Sequence, residues 1–185
     1  SSLYEDSMNQ SFAGLFGTYI LPNTHPENEV RLKQLTNAIK LVFASIYSRE
    51  AKTYFEAISF KIEQEKMAVV IQEVVGNRFN GTFYPHISGV AQSFNFYPVA
   101  HMTPDEGIAV VAVGLGQYVM EGDRAFRFSP AYPAVDMMSL KDISRNSQVS
   151  FYAVDLTKMN PDLMEGENAG LVMLDIAEAE RHGTI

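Results

Sequence analysis

The sequence predicts an α+β fold in which two helices lead and a mixed or antiparallel sheet packed with helices follows. Three observations predict it. An apolar stripe recurs at three- and four-residue spacing early in the chain, a β-branched run of strand length comes next, and apolar and polar residues then alternate with period two through the middle.

Across residues 29–47, Leu32, Leu35, Ile39, Val42, Phe43 and Ile46 draw one apolar face on a helix. Asn28 or Asn23 is placed to cap it. Residues 49–60 repeat the pattern through Ala51, Tyr54, Phe55 and Ile58, which predicts a second helix after a turn near Ser48. Residues 67–75 form the β-branched run, read as a buried strand, and the turn signals Gly76-Asn77 and Asn80-Gly81 after it predict a hairpin. Residues 82–87 and 92–99 alternate like strands with one wet face. Residues 108–113 are continuously apolar, as a central strand covered on both sides would be. The sheet therefore has at least four strands.

Gly114-Leu115-Gly116-Gln117 then turns the chain toward a short helix or turn at residues 118–122 and a strand at 125–128. A strand, a glycine turn and a helix start together make an anion-facing arrangement. Beyond Pro130 the pattern loosens, giving a short amphipathic helix around 140–143, a strand at 150–156 and a last helix near 174–181. No repeat or low-complexity tract interrupts this order. The expected organisation is a single domain with a loop and two helices over 1–60, a sheet over 67–128 and an α/β extension over 130–185.

Composition narrows the function classes. Of 185 residues 46% are hydrophobic and 19% charged, which is neither a disordered composition nor one with a bilayer-length apolar run. No cysteine is present, which removes disulfides, thiolate metal sites and a Cys nucleophile and leads us to expect a cytoplasmic protein. With 14 Lys+Arg against 22 Asp+Glu the formal net charge is -8, so the mean field repels nucleic acid. A small anion held by local N–H groups stays compatible with that charge. His25, His86, His101 and His182 lack any ligand-spaced pair, which argues against zinc. Glu5 and Asp6 read as caps or solvated loop acids, and Glu178-Ala179-Glu180-Arg181 as a solvated helix face. The opening at Ser1-Ser2-Leu3, without Met, suggests a piece of something longer.

Ser1-Ser2-Leu3-Tyr4-Glu5-Asp6, followed by Ser11-Phe12-Ala13-Gly14 and Thr18, resembles the Arg-Ser-Ser, Glu-Asp, Ser-Phe-Ala-Gly signature of the nucleotide-binding domain of pyruvate phosphate dikinase and phosphoenolpyruvate synthase. Phe43-Ala44-Ser45-Ile46-Tyr47, Arg49-Glu50-Ala51, Gln72, Gly81 and Gly114-Leu115-Gly116 follow in the family's order, so the resemblance covers residues 1 to about 128. It implies an ATP-grasp-like lobe that binds ATP with Mg²⁺. The activity implied is phosphoryl transfer to an enzyme histidine and onward to pyruvate, with a phosphohistidine domain elsewhere in the parent chain as partner. It also implies nucleotide contacts at Gly14, Thr18, Gln72, Glu73, Val74, Gly81, Gly114 and Gly116, and it nominates no catalytic residue. Two departures stand out: Gln117 where relatives carry glutamate, which weakens a metal role there, and Tyr84-Pro85 where relatives tend to have Phe-Thr.

The residues by themselves leave alternatives open. Ser11, Ala13, Gly14 and Gly17 are small enough to let backbone N–H groups reach phosphate, and Thr18 adds a hydroxyl, yet the same glycines suit ordinary turns or packing. Gln72 has an amide suited to an adenine or ribose edge, or is the outward polar residue of an alternating strand. Glycine after a strand, as at Gly114, is commonplace. Cationic and metal-holding elements that the family places upstream and downstream are absent from these residues, so no turnover is expected from them alone, although weak nucleotide binding is. Two function classes follow: part of an ATP-dependent phosphotransferase, or a non-catalytic nucleotide-sensing or scaffolding module with a degenerate metal site.

Overall fold

A computed structural model describes residues 14–58, 61–62, 66–98, 102–121, 124–132 and 147–185. The chain divides into two compact units, one holding Ser1–Val74 with Val154–Leu171, the other Val75–Ala153 with Val172–Ile185. Helices and antiparallel strand pairs make the fold α+β.

The first unit carries α1 (Asn28–Ala44) and α2 (Arg49–Ala57), joined by a 3₁₀ turn at Ser45–Tyr47. Neither asparagine caps α1. Glu27 holds the cap position without a side-chain bond, Asn28 is already helical with its Oδ1 accepting from Arg31, and Asn23 stands in a left-handed turn at φ 53°. Ser48 does cap α2, its Oγ accepting the Ala51 N–H at 3.0 Å. This helix ends earlier than its apolar spacing predicts. Ala51 and Phe55 of α2 close a small core over Leu15 and Phe16, with the Phe16 and Phe55 rings 6.3 Å apart. Ala38 of α1 packs separately with Leu163 and Ala169. The return segment is tied to α1 by Gln34, whose Nε2 donates to the Met159 carbonyl at 2.8 Å.

The expected strand at 67–75 does not form. Met67 alone makes a bridge, residues 68–76 have no regular structure, and Val70, Ile71 and Val75 are 61%, 62% and 82% exposed. A β-branched run stabilises a strand through the neighbours that cover it, and nothing among the described residues pairs with this one as a strand.

The second unit begins with β1 (Asn77–Phe79) and β2 (Thr82–Tyr84), paired so that Asn77 faces Tyr84 and Phe79 faces Thr82. Asn80 and Gly81 join them with φ of 44° and 86°, the two positive values a type I′ turn requires, so a hairpin forms at the second of the two turn signals, while Asn77 of the first opens β1 instead of turning. The strand expected at 82–87 breaks at Pro85, which has no N–H for a ladder, and β3 (Ile87–Gln92) starts beyond it in a different sheet. Residues 93–98 bend instead of continuing as a strand. Buried Asn95 explains this: its N–H donates to the Pro104 carbonyl at 2.7 Å and its Oδ1 accepts from the Tyr97 N–H at 3.0 Å.

β4 (Ile108–Val113) is the centre of the antiparallel sheet β3-β4-β5, as its apolar run predicts, with β5 at Phe126–Phe128. Between β4 and β5 lies α3 (Gln117–Glu121). The hairpin belongs to another sheet, ordered β1-β2-β6-β7, with β6 at Ser150–Asp155 and β7 at Leu171–Asp175. One expected sheet is thus two. β7 replaces the first part of the expected last helix, and α4 (Ile176–Arg181) starts only after Asp175, whose Oδ1 accepts the Ala177 N–H at 2.9 Å. Tyr84 and Phe151 are fully buried with Ala153 and Ala179 at the core of this unit. Gln148 acts as a false strand residue, accepting from the Val113 N–H at 2.8 Å and donating to the Val113 carbonyl at 2.9 Å and the Ser150 carbonyl at 3.0 Å. The helix expected at 140–143 lies outside the described residues. Among the described residues no helix is long and apolar enough to cross a membrane.

Candidate functional site

In the first unit Gly14, Gly17 and Thr18 share one turn. Leu15 and Phe16 between them are buried in the α2 core, which anchors the turn and leaves Gly14 and Thr18 exposed. Gly14 has φ 82° and open space where a Cβ would stand, so backbone conformation is its whole structural reason for being glycine. Gly17 differs. Its N–H donates to Ser45 Oγ at 2.9 Å, Ser45 Oγ in turn donates to the Val42 carbonyl at 2.6 Å, and a Cβ on Gly17 would stand 3.2 Å from Glu167 Oε1 and 3.3 Å from Tyr19 Cε2. Gly17 is therefore a packing glycine, and its N–H is already committed. Burial first, and the Glu167 carboxylate second, push the Tyr19 hydroxyl above the ordinary tyrosine value.

Gln72 and Glu73 are exposed and Val74 is half-buried on the irregular segment that follows Met67. The expectation that Gln72 sits in a buried strand is corrected accordingly. Ser11, Ala13 and the Glu5-Asp6 pair lie outside the described residues.

In the second unit Gly81 occupies the tip of the β1–β2 hairpin, while Gly114, Gly116 and Gln117 share the corner between β4 and α3. Gly114 has φ 78°, and a Cβ there would stand 2.5 Å from Phe151 Cδ2 and 2.9 Å from the Tyr152 carbonyl oxygen. Close packing on β6 demands glycine. The Leu115 N–H donates to the Tyr152 carbonyl at 3.0 Å and the Gln117 N–H to the Leu115 carbonyl at 2.9 Å. The anion-facing corner expected from strand, glycine turn and helix start is thus corrected at those two donors, which the protein uses itself. Gly116 has room, with the nearest atom to its Cβ position 3.6 Å away on Ser88. Gln117 is the half-buried first residue of α3.

The three described histidines take structural places, and His101 lies outside the described residues. His182 Nδ1 shares a hydrogen bond with the Tyr84 hydroxyl at 2.8 Å, its Nε2 lies 3.3 Å from Asn80 Nδ2, and its ring stacks on Phe79 with centroids 5.1 Å apart. His86 meets Asn77 at 3.3 Å, and His25 Nδ1 accepts from the Glu27 N–H at 3.1 Å. Among the described residues no three His, Asp or Glu side chains come together around a metal position. That donor set does not fit a protein-only metal cage.

An apolar hollow of about 220 Å³ opens on the β3-β4-β5 sheet, lined by Ile87, Val111, Val113 and Phe126 with Arg124 and Gln148. None of the expected contact residues lines it. Ser45, Tyr19 and Glu167 lie against the 14–18 turn; Ser45 belongs to a stretch that the resemblance matched without a site role, whereas Tyr19 and Glu167 carried no sequence signal, Glu167 being remote in the chain and part of no motif.

Comparison with known proteins follows the same residues. Residues 1–167 match the family described as pyruvate phosphate dikinase, AMP/ATP-binding domain. The match extends well beyond residue 128, where the resemblance read from motifs fades. A phosphoenolpyruvate synthase of Aeropyrum pernix is 29% identical over 160 residues, which are 85% of this chain and 17% of that protein. The chain thus spans a small part of the curated relative. No solved structure matches.

Proposed function

Because the chain belongs to the family of pyruvate phosphate dikinase AMP/ATP-binding domains, we propose that it binds ATP as one part of a phosphoenolpyruvate synthase or pyruvate phosphate dikinase type of phosphotransferase. The family match over residues 1–167 carries this reading. Gly14 and Thr18 are the contact residues we favour first, because both face outward from a turn that Leu15 and Phe16 hold in place. Gln72, Glu73 and Val74 would offer side-chain and backbone groups along a segment without regular structure, and Gly116 a backbone group at an open corner. Gly81 and Gly114 have complete conformational or packing reasons to be glycine and rank last.

An ATP-grasp-like arrangement, Mg²⁺ held with the phosphates, and transfer through a histidine of another domain toward pyruvate complete the proposal. Mg²⁺ would neutralise phosphate charge. This chain's own residues would bind and orient the nucleotide. A second reading keeps nucleotide binding and drops transfer, and Gln117 favours it, since an amide replaces the glutamate that relatives carry and holds a hard cation less well.

Thermal unfolding with increasing ATP tests the shared premise. A melting temperature that climbs with nucleotide concentration is expected, because a ligand at one hundred times its Kd stabilises by about 2.7 kcal/mol. A flat response at millimolar ATP contradicts both readings. Phosphohistidine formation from ATP in the parent protein then separates them, being present in the first and absent in the second.

A further inference from the structure

We propose that the outer apolar row of α1 is a docking surface for an acidic amphipathic helix of a separate partner protein. The inference goes beyond the nucleotide-binding reading and does not depend on it. Leu32, Leu35, Ile39, Val42 and Ile46 follow one another at spacings of three, four, three and four, the a and d positions of a heptad pattern that runs into the 3₁₀ turn after the helix. Within the first unit α1 packs through a different row. Ala38 and Leu41 join Leu163 and Ala169, Gln34 bonds the Met159 carbonyl, and Ser45 beyond the helix end takes the Gly17 N–H. At about 3.6 residues per turn, the row Leu32-Ile39-Phe43 lies roughly 150° round the helix from that packed row. Leu32 and Phe43 are accordingly 64% and 44% exposed, and Leu35, Ile39, Val42 and Ile46 are only half-buried.

Charge chooses the occupant. Residues 30–49 hold Arg31, Lys33, Lys40 and Arg49 and no Asp or Glu, in a chain whose net charge is -8. The one acid of α1, Glu29, sits in its first turn. Lys33 and Lys40 are exposed, stand one heptad apart and directly follow Leu32 and Ile39, so positive charge borders the apolar row. Among the described residues the ion pair found joins Arg181 to Glu178, and neither lysine is paired with an acid there. A helix with its own a and d seam and acids at the flanking positions answers both features, apolar row to apolar row and carboxylate to ammonium. A second copy of this chain does not, because laying the same row against itself sets basic flank beside basic flank. An anionic membrane does not either. Helices that lie on a membrane offer it a broad apolar face and a cluster of basic residues, whereas this row has the narrowness of a helix-pairing seam and two lysines beside it.

Fluorescence anisotropy of a labelled three-heptad peptide tests this, with Ile at a, Leu at d and Glu at e and g, against a counterpart carrying Lys at e and g. The acidic peptide is expected to bind this chain about tenfold more tightly than the basic one, and the double variant Leu32→Gln/Phe43→Gln to lose about tenfold in affinity for it. Lys33→Glu/Lys40→Glu should reverse the preference between the peptides. Should the first double variant fail to fold, as its melting curve would tell, that reversal carries the test alone, since both lysines are exposed. Equal affinity for the two peptides, binding that the folded Leu32/Phe43 variant retains in full, or no binding to the wild type overturns the inference. So does binding to this chain but not to the parent protein, where the row would then be an internal contact. Sedimentation closes the remaining routes: a dimer, or association with phosphatidylserine vesicles, that Leu32→Gln/Phe43→Gln abolishes also overturns it. ATP titration of the same samples is a separate readout, so failure of the nucleotide reading leaves this result standing and the reverse holds equally.

Discussion

The Tyr84 hydroxyl and His182 Nδ1 lie 2.8 Å apart and join the β1–β2 hairpin to the end of α4. Tyr84 is fully buried, so its hydroxyl needs a partner, and His182 supplies one while stacking on Phe79. Neither residue was selected for this from the sequence.

Tyr84→Phe should cost about 1 kcal/mol, the net worth of one hydrogen bond, measured by denaturant unfolding. Its pH dependence adds a second check. Burial first, with Glu178 assisting and a Thr184 hydrogen bond opposing, raises the Tyr84 hydroxyl above its ordinary 10.0. The unfolded chain therefore loses this proton first, so the contribution is complete below pH 10.0 and disappears as pH climbs through the folded value. Tyr84→Phe should flatten that alkaline decline and retain the part due to Tyr19, which is raised in the same direction.

Two glycines with nearly the same φ should respond differently to alanine. At Gly14 only the left-handed backbone is penalised, by about 1–2 kcal/mol. At Gly114 the methyl also meets Phe151 and the Tyr152 carbonyl, adding about 1–3 kcal/mol of overpacking. Melting temperatures of the two variants should separate by several degrees, with Gly114→Ala the lower. Equal shifts would contradict the packing role of Gly114.

Ser48→Ala removes the cap of α2 and should cost about 1 kcal/mol in denaturant unfolding. The core beneath explains the sensitivity, since Ala51 and Phe55 on that helix hold Leu15 and Phe16 and thereby the candidate turn.

Thr18→Val should leave the unfolding free energy of the nucleotide-free protein unchanged within about 0.5 kcal/mol, because Thr18 is exposed. It should nevertheless weaken ATP several-fold in titration, by removing a hydroxyl donor. Undiminished affinity would take Thr18 out of the site.

What was legible in the sequence had local causes. The span of α1, the turn near Ser48, the Asn80-Gly81 turn and the apolar run of β4 appear where local rules put them, but the predicted stripe of α1 is not its packed face: Leu32 and Phe43 are 64% and 44% exposed, and Ala38 is the residue of that helix that is buried. What was illegible depended on partners. Residues 67–75 have every intrinsic reason to be a strand and no described neighbour to be one with, whereas residues 171–175 become β7 because β6 is there to receive them. The candidate site divides in the same way. Gly14 and Thr18 could be picked from small residues and a matching motif, but the Gly17 bond to Ser45 and the nearness of Glu167 arise from packing across distant stretches of chain.

Isothermal titration of this chain with ATP in Mg²⁺ buffer tests its membership of an ATP-binding site most directly. Saturable heat at a stoichiometry of about one, weakened in Thr18→Val and retained in Ser48→Ala at a temperature where that variant is folded, is the predicted result. No saturable heat up to millimolar ATP from a cooperatively folded sample would contradict the account.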